Sequence, residues 1–193
     1  MKKIPSTLKV LAVAAAFLTL AGCNAVSRNT DSASMIIINS ISGITEAGAK
    51  AAYLQSDVLD GDVVHADNAK ANISVRLIRP GAATGDASRF NDVVLTDYRV
   101  TYEVPQGVAG TEVPEGFQGT FSTITCPVNS TSDVDFVVVL EKAKLAPPLS
   151  NLVGTNTVLE RKAKIEIFGH DLTDHPVTAT GYLTIYFADY QGN

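Results

Sequence analysis

The sequence runs to 193 residues with 15 basic against 20 acidic side chains, a net charge of −5. That balance excludes nucleic acid, and a basic patch lying on anionic lipid, as electrostatic partners. Two cysteines, three histidines and no tryptophan exclude a disulfide-stapled scaffold, a cysteine zinc cluster and an antibody-type core pinned by a tryptophan and a cysteine pair.

The chain opens on Lys2, Lys3 and Lys9 without an acid, followed by the apolar run Val10–Leu20. This run has the length of a secretory h-region and is too short to span a bilayer. It leads into Leu20-Ala21-Gly22-Cys23. The four residues together resemble the lipobox of bacterial lipoproteins. The resemblance implies that residues 1–22 are a signal peptide cut between Gly22 and Cys23. It also implies that the Cys23 thiol carries a diacylglyceryl group and that the new amino group is acylated, with palmitate as the typical chain. One acyl chain holds a protein marginally, whereas two or more hold it stably. Asn24 stands where an aspartate marks retention in the inner membrane, so the pattern implies an outer-membrane lipoprotein with a periplasmic or surface-facing domain. An ordinary secretory signal that happens to end beside a cysteine is the alternative.

Residues 23–34 read as the lipid attachment and a flexible tether, since Asn24–Ser34 is small, polar and without periodicity. Residues 35–193 then read as one β-domain. Met35–Ile41 and Tyr53–Leu59 are strand candidates, with Gly43–Ala52 between them left open between a helical turn and a loop. Lys70–Arg79 alternates, with Ile73, Val75 and Leu77 opposite Asn72, Ser74 and Arg76. Asp92–Glu103 alternates with Val94, Thr96, Tyr98, Val100 and Tyr102 on one side. Pro105–Gly119 is a long loop, and Gly119–Cys126 and Asp133–Leu140 are strands. Phe136–Leu140 is apolar on both faces and is therefore placed centrally in a sheet. Lys142–Leu152 crosses between sheets with a short helical turn. Val158–Phe168 and Val177–Phe187 form the last pair around the hairpin loop Gly169–His175. In the final strand Val177, Ala179, Gly181, Leu183, Ile185 and Phe187 share one side, with Thr178, Thr180, Tyr182, Thr184 and Tyr186 on the other.

About eight strands, each with one apolar face, predict an antiparallel β-sandwich; an eight-stranded barrel is the alternative architecture. The pattern resembles the immunoglobulin-like group found in bacterial surface lipoproteins, a likeness that brings no catalytic residues with it.

Candidate ligand sites are few. His170, Asp171, Asp174 and His175 fall in one hairpin loop, in a spacing that equally suits ordinary turn chemistry. Asp57, Asp60, Asp62 and Asp67 form an acidic run that offers oxygen ligands to calcium, but Asp60-Gly61 also reads as a turn and the closing glutamate of a helix–loop–helix calcium site is missing. The Thr/Tyr face of the last strand offers rings for stacking on sugars, but plain sheet stabilisation is the preferred reading. Once Cys23 is acylated Cys126 stands alone, and its position after an alternating segment predicts burial. No nucleophile elbow, phosphate loop or His-Glu-x-x-His is present. The reading is a non-catalytic, lipid-anchored envelope module, structural or protein-binding, without a cofactor. Its partners are the membrane through Cys23 and an envelope protein. A calcium-assisted or carbohydrate-binding surface module is the alternative.

Overall fold

The computed structural model describes residues 32–45, 48–78 and 88–190. The segment expected to be a signal peptide, 1–22, the expected lipid site at Cys23 and residues 24–31 lie outside them. The compact unit begins at Ser32. Ser32 and Ser34 are already buried, so the end of the segment assigned to the tether belongs to the domain.

Among the described residues nine strands form two sheets. The first holds β1 (Ser34–Ile44), β2 (Lys50–Ala51), β4 (Asp67–Leu77) and β7 (Thr131–Val139) in the order β2-β1-β4-β7. The second holds β3 (Tyr53–Asp57), β5 (Val93–Glu103), β6 (Phe117–Cys126), β8 (Leu159–Asp171) and β9 (Pro176–Ala188) in the order β3-β9-β8-β5-β6. Two open sheets share one core of Ile36, Ile73, Val75, Leu95, Val100, Ile165, Leu183, Ile185 and Phe187, among others. This is a sandwich and not a closed barrel. β1, β4 and β7 stand where an immunoglobulin domain has strands A, B and E, and β5, β8 and β9 where it has C, F and G. One pair departs from the expected antiparallel scheme: β3 runs parallel to β9, with Tyr53 opposite Thr184 and Asp57 opposite Ala188.

On β5, where an antibody domain places its buried tryptophan, Tyr98 fills the core. Its ring lies 5.2 Å from Phe136 of the other sheet and 5.0 Å from Phe121. Nearby, the Tyr102 hydroxyl donates to the Val138 carbonyl across the sandwich at 2.7 Å. Gly119 on β6 makes room for Tyr98, because a Cβ there would clash with the hydroxyl end of the ring. Gly119→Ala is therefore expected to cost about 1–3 kcal/mol by overpacking, read as a lower Tm with the far-UV spectrum unchanged.

One open segment is resolved and two expectations are corrected. Gly43–Ala52 makes no helix among its described residues; β1 runs on to Ile44 and turns back into β2. The faces of β5 do not hold one parity throughout. The ladder shifts between Leu95 and Asp97, so Val93 and Leu95 point inward first and Tyr98, Val100 and Tyr102 after it. Finally, β7 is an edge strand, although its apolar run suggested the centre of a sheet. The register slips where Asp67 opposes Val139 and Asn68 opposes Val137. Val138 is the extra residue, and Val138 and Val139 both turn inward. A one-residue bulge thus imitates the two-faced burial of a central strand. The connection that follows holds a single helical turn, α1 (Glu141–Lys144), and a 3-10 turn, Leu149–Leu152, whose Leu149 and Leu152 cap the same core.

Candidate functional site

β1 spans the sandwich, and its two ends mark two poles. Eleven residues at about 3.3 Å each put these roughly 35 Å apart. Ser32, the β8–β9 hairpin and the turn before β5 lie at one pole. The ends of β3 and β7, the start of β4 and α1 lie at the other.

At the Ser32 pole the hairpin is built around Asp171, which is 1% exposed. One carboxylate oxygen accepts from the Thr173 N–H at 2.9 Å, the Thr173 hydroxyl at 2.6 Å and the His175 N–H at 3.1 Å. The other accepts from the Ser32 hydroxyl at 2.7 Å. Burial alone would raise this carboxyl, but the bonds from Thr173, Ser32 and the His175 backbone outweigh it and hold Asp171 well below the usual carboxylate range. The remaining hairpin residues, weighed from sequence as metal ligands against ordinary turn chemistry, are held as turn partners. His170 Nδ1 lies 2.9 Å from the Asp171 carbonyl, and His175 Nδ1 lies 2.7 Å from the Thr173 hydroxyl. Asp174 takes φ +64° at the tip, a left-handed conformation that aspartate tolerates better than most residues. Its carboxylate approaches His170 only to 3.5 Å.

The opposite pole carries an open cleft of about 540 Å³ lined by Asp57, Asp60, His65, Asp67, Asn68 and Lys144, with Thr45 and Gln55 at its margin. The sequence run thus does gather at one place, except for Asp62. Asp60 and Val63 exchange both backbone hydrogen bonds around Gly61, whose φ is +59°. Asp62 stays on that turn, outside the cleft lining. Asp57 is engaged as well, accepting the N–H groups of Leu59 and Tyr190. The residue that the sequence did not reveal is Lys144. It is 2% exposed, and its ammonium donates to the Asp57 carbonyl at 2.6 Å and to the Asp67 carboxylate at 3.0 Å. Ser56 supplies a further bond to Asp67 at 2.6 Å. Burial raises the Asp67 carboxyl more than Lys144 and Ser56 lower it. The cation at the heart of this acidic pole is the protein's own lysine. Among the described residues no group of three His, Cys, Asp or Glu side chains is arranged to hold a metal ion.

A second buried cation, Arg161, is 1% exposed and has no carboxylate within ion-pair distance among the described residues. Its guanidinium donates to the carbonyls of Glu112 and Glu160 at 2.7 and 2.6 Å. It thereby staples the long β5–β6 connection to β8. Burial lowers its pKa, and the charge of Glu112 acts the other way.

The Thr/Tyr face of β9 points outward as expected, yet its rings are partly engaged. Lys162 Nζ lies 4.0 Å above the Tyr182 ring, and Tyr186 meets Tyr53 edge-on at 5.7 Å. β9 is no free edge over Thr184–Ala188, since β3 pairs with it there. A long uncharged edge is β6, Phe117–Cys126, which among the described residues pairs only with β5. Between it and β7 runs a groove of about 330 Å³ lined by Tyr98, Phe121, Ile124, Phe136 and Asp135. Cys126 is buried at the end of β6, 1% exposed, and burial pushes its thiol up. No protein family matches the chain, and no curated protein is similar to it in sequence.

Proposed function

We propose that this chain is a lipid-anchored protein of the bacterial cell envelope, held by Cys23 in the outer membrane, whose sandwich is a non-catalytic structural or protein-binding module. The observation that carries the anchor is Leu20-Ala21-Gly22-Cys23, placed directly after a basic start and an apolar run of h-region length. The binding half of the reading is supported by β6. It is ten residues long, without a charged side chain or a proline, and one flank of its backbone is unpaired in the sheet. Edge strands are usually blunted by charge, proline or shortness, and an unblunted one suits an added strand from a partner. Lys144, Arg161 and Asp171, the buried charged residues, are each bonded within the fold, which favours structural roles for them over catalysis.

One experiment tests both halves. A photo-cross-linking residue at exposed Thr123 on β6 is introduced into the full chain in intact cells, with and without Cys23→Ser. The expected result is palmitate labelling and membrane fractionation of the parent, loss of both in Cys23→Ser, and a discrete cross-linked adduct formed only by the anchored protein. A Cys23→Ser chain that is still labelled and membrane-bound sinks the anchor. An anchored chain without an adduct at β6 sinks the binding edge.

A further inference from the structure

We propose that the Ser32 pole is a membrane-docking surface, at which Phe90 and Leu172, with Ile78 beside them, insert into the interface of the bilayer that holds the lipid on Cys23. The inference rests on the anchor reading above and adds an orientation to it. Phe90 is 66% exposed, Ile78 47% and Leu172 45%. All three are tied to the place where the chain enters the domain. The Ser34 hydroxyl donates to the Asn91 carbonyl, beside Phe90, at 2.6 Å. The Ile78 N–H donates to the Ala33 carbonyl at 2.9 Å, and the Leu172 N–H donates to the Asp92 carbonyl at 3.2 Å.

The exposure of Phe90 is built in. It sits on the 3-10 turn Arg89–Asn91, capped by the Ser88 side chain, which accepts the Phe90 N–H, and closed by the Asp92 N–H on the Arg89 carbonyl. The eight residues between Cys23 and Ser32 span at most roughly 30 Å. A link that short keeps these side chains at millimolar effective concentration against the bilayer, so weak insertion suffices.

Charge distinguishes the two poles. Among the described residues the exposed charges near the three side chains are Arg76, Arg89 and Asp174, while Asp171 is buried and Asp92 accepts the Val128 N–H at 2.9 Å. The opposite pole also exposes apolar side chains, Leu145 at 68% and Val63 at 50%. These stand among Asp60, Asp62, Glu141 and Lys142, a net acidic set that an anionic leaflet repels. The acidic cleft at Asp67 and Lys144 is then presented away from the membrane.

The absence of tryptophan makes the test direct. Phe90→Trp and Leu145→Trp each give the full-length lipidated protein a single fluorophore, one at each pole. The proteins are reconstituted into phosphatidylcholine vesicles carrying brominated acyl chains, with lipid at Cys23 read by palmitate labelling in the same preparation. The expected result is loss of about half or more of the Phe90→Trp emission, as for a ring at interface depth, with Leu145→Trp unaffected. With the label present, an unquenched Phe90→Trp, or equal quenching at both poles, overturns the docking while the anchor stands. Absence of the label overturns the anchor and the docking with it.

Discussion

Lys144→Met is expected to lower the stability of the domain by about 3–5 kcal/mol at neutral pH, the loss found when one partner of a buried ion pair is removed. At about 2–4 °C per kcal/mol for a domain of this size, Tm falls by roughly 10 °C or more. The reason is what remains behind: Asp67 keeps its bond from Ser56 but loses the ammonium that neutralised it, and the Asp57 carbonyl loses a donor. The pH dependence supplies a second signature. The Asp67 carboxyl already lies above its ordinary value, and loss of the lysine raises it further. A carboxyl whose folded pKa exceeds its unfolded one binds a proton more readily in the folded state, so stability grows as pH falls and is lost as pH rises through the folded value. The variant should therefore regain part of its deficit in mildly acidic buffer. Adding Asp67→Asn should regain part of it at neutral pH, because no unpaired charge is then left. Thermal melts of the single and double variants across pH measure all of this. An unchanged Tm would mean that water screens the pair and that it is worth no more than a surface ion pair.

Asp171→Asn should cost about 2–4 kcal/mol, since hydrogen bonds to a charged acceptor are among the stronger ones and several end on this carboxylate. Here the sign of the pH effect is the reverse. The folded pKa is depressed below the ordinary value of 3.8, so the stabilisation is fully present above that value. It is lost as pH falls from there through the folded value. Calorimetry should show parent and variant far apart at neutral pH and converging under acid. A constant gap across the whole range would mean that the turn is held by its backbone and that the charge contributes little.

The sequence showed the sheets more clearly than their order. β8 and β9 alternate without interruption, and their core faces were legible residue by residue from Ala163 to Phe187. β5 and β7 were not, because a bulge breaks the period of two at the point where period is the only signal. The shift at Leu95/Asp97 moves the inward face from one parity to the other, and the slip at Val138 turns two adjacent valines inward. The acidic cleft was half legible. Asp57, Asp60 and Asp67 were visible as a run, and their convergence with Ser56 is local. Lys144 arrives from the far side of the chain on a single helical turn whose Glu-Lys-Ala-Lys composition resembles a solvated surface. Only burial distinguishes Lys144 from Lys142. The hairpin residues were legible as one cluster, although Gly169, His170 and Asp171 belong to the end of β8 and not to the loop, and their spacing says nothing of Ser32, whose hydroxyl completes the Asp171 site.

The parallel pairing of β3 with β9 sets an order on assembly. β3 has no other sheet neighbour among the described residues, and the segment after it is held by Val58 donating to the Ala188 carbonyl and by Tyr190 donating to Asp57. An early part of the domain therefore waits for its last strand, and the loop-closure entropy of that contact must be met before β3 can add anything. A ribosome or a secretory channel releasing the chain from its N-terminus delivers β9 last. The second sheet cannot be completed before then.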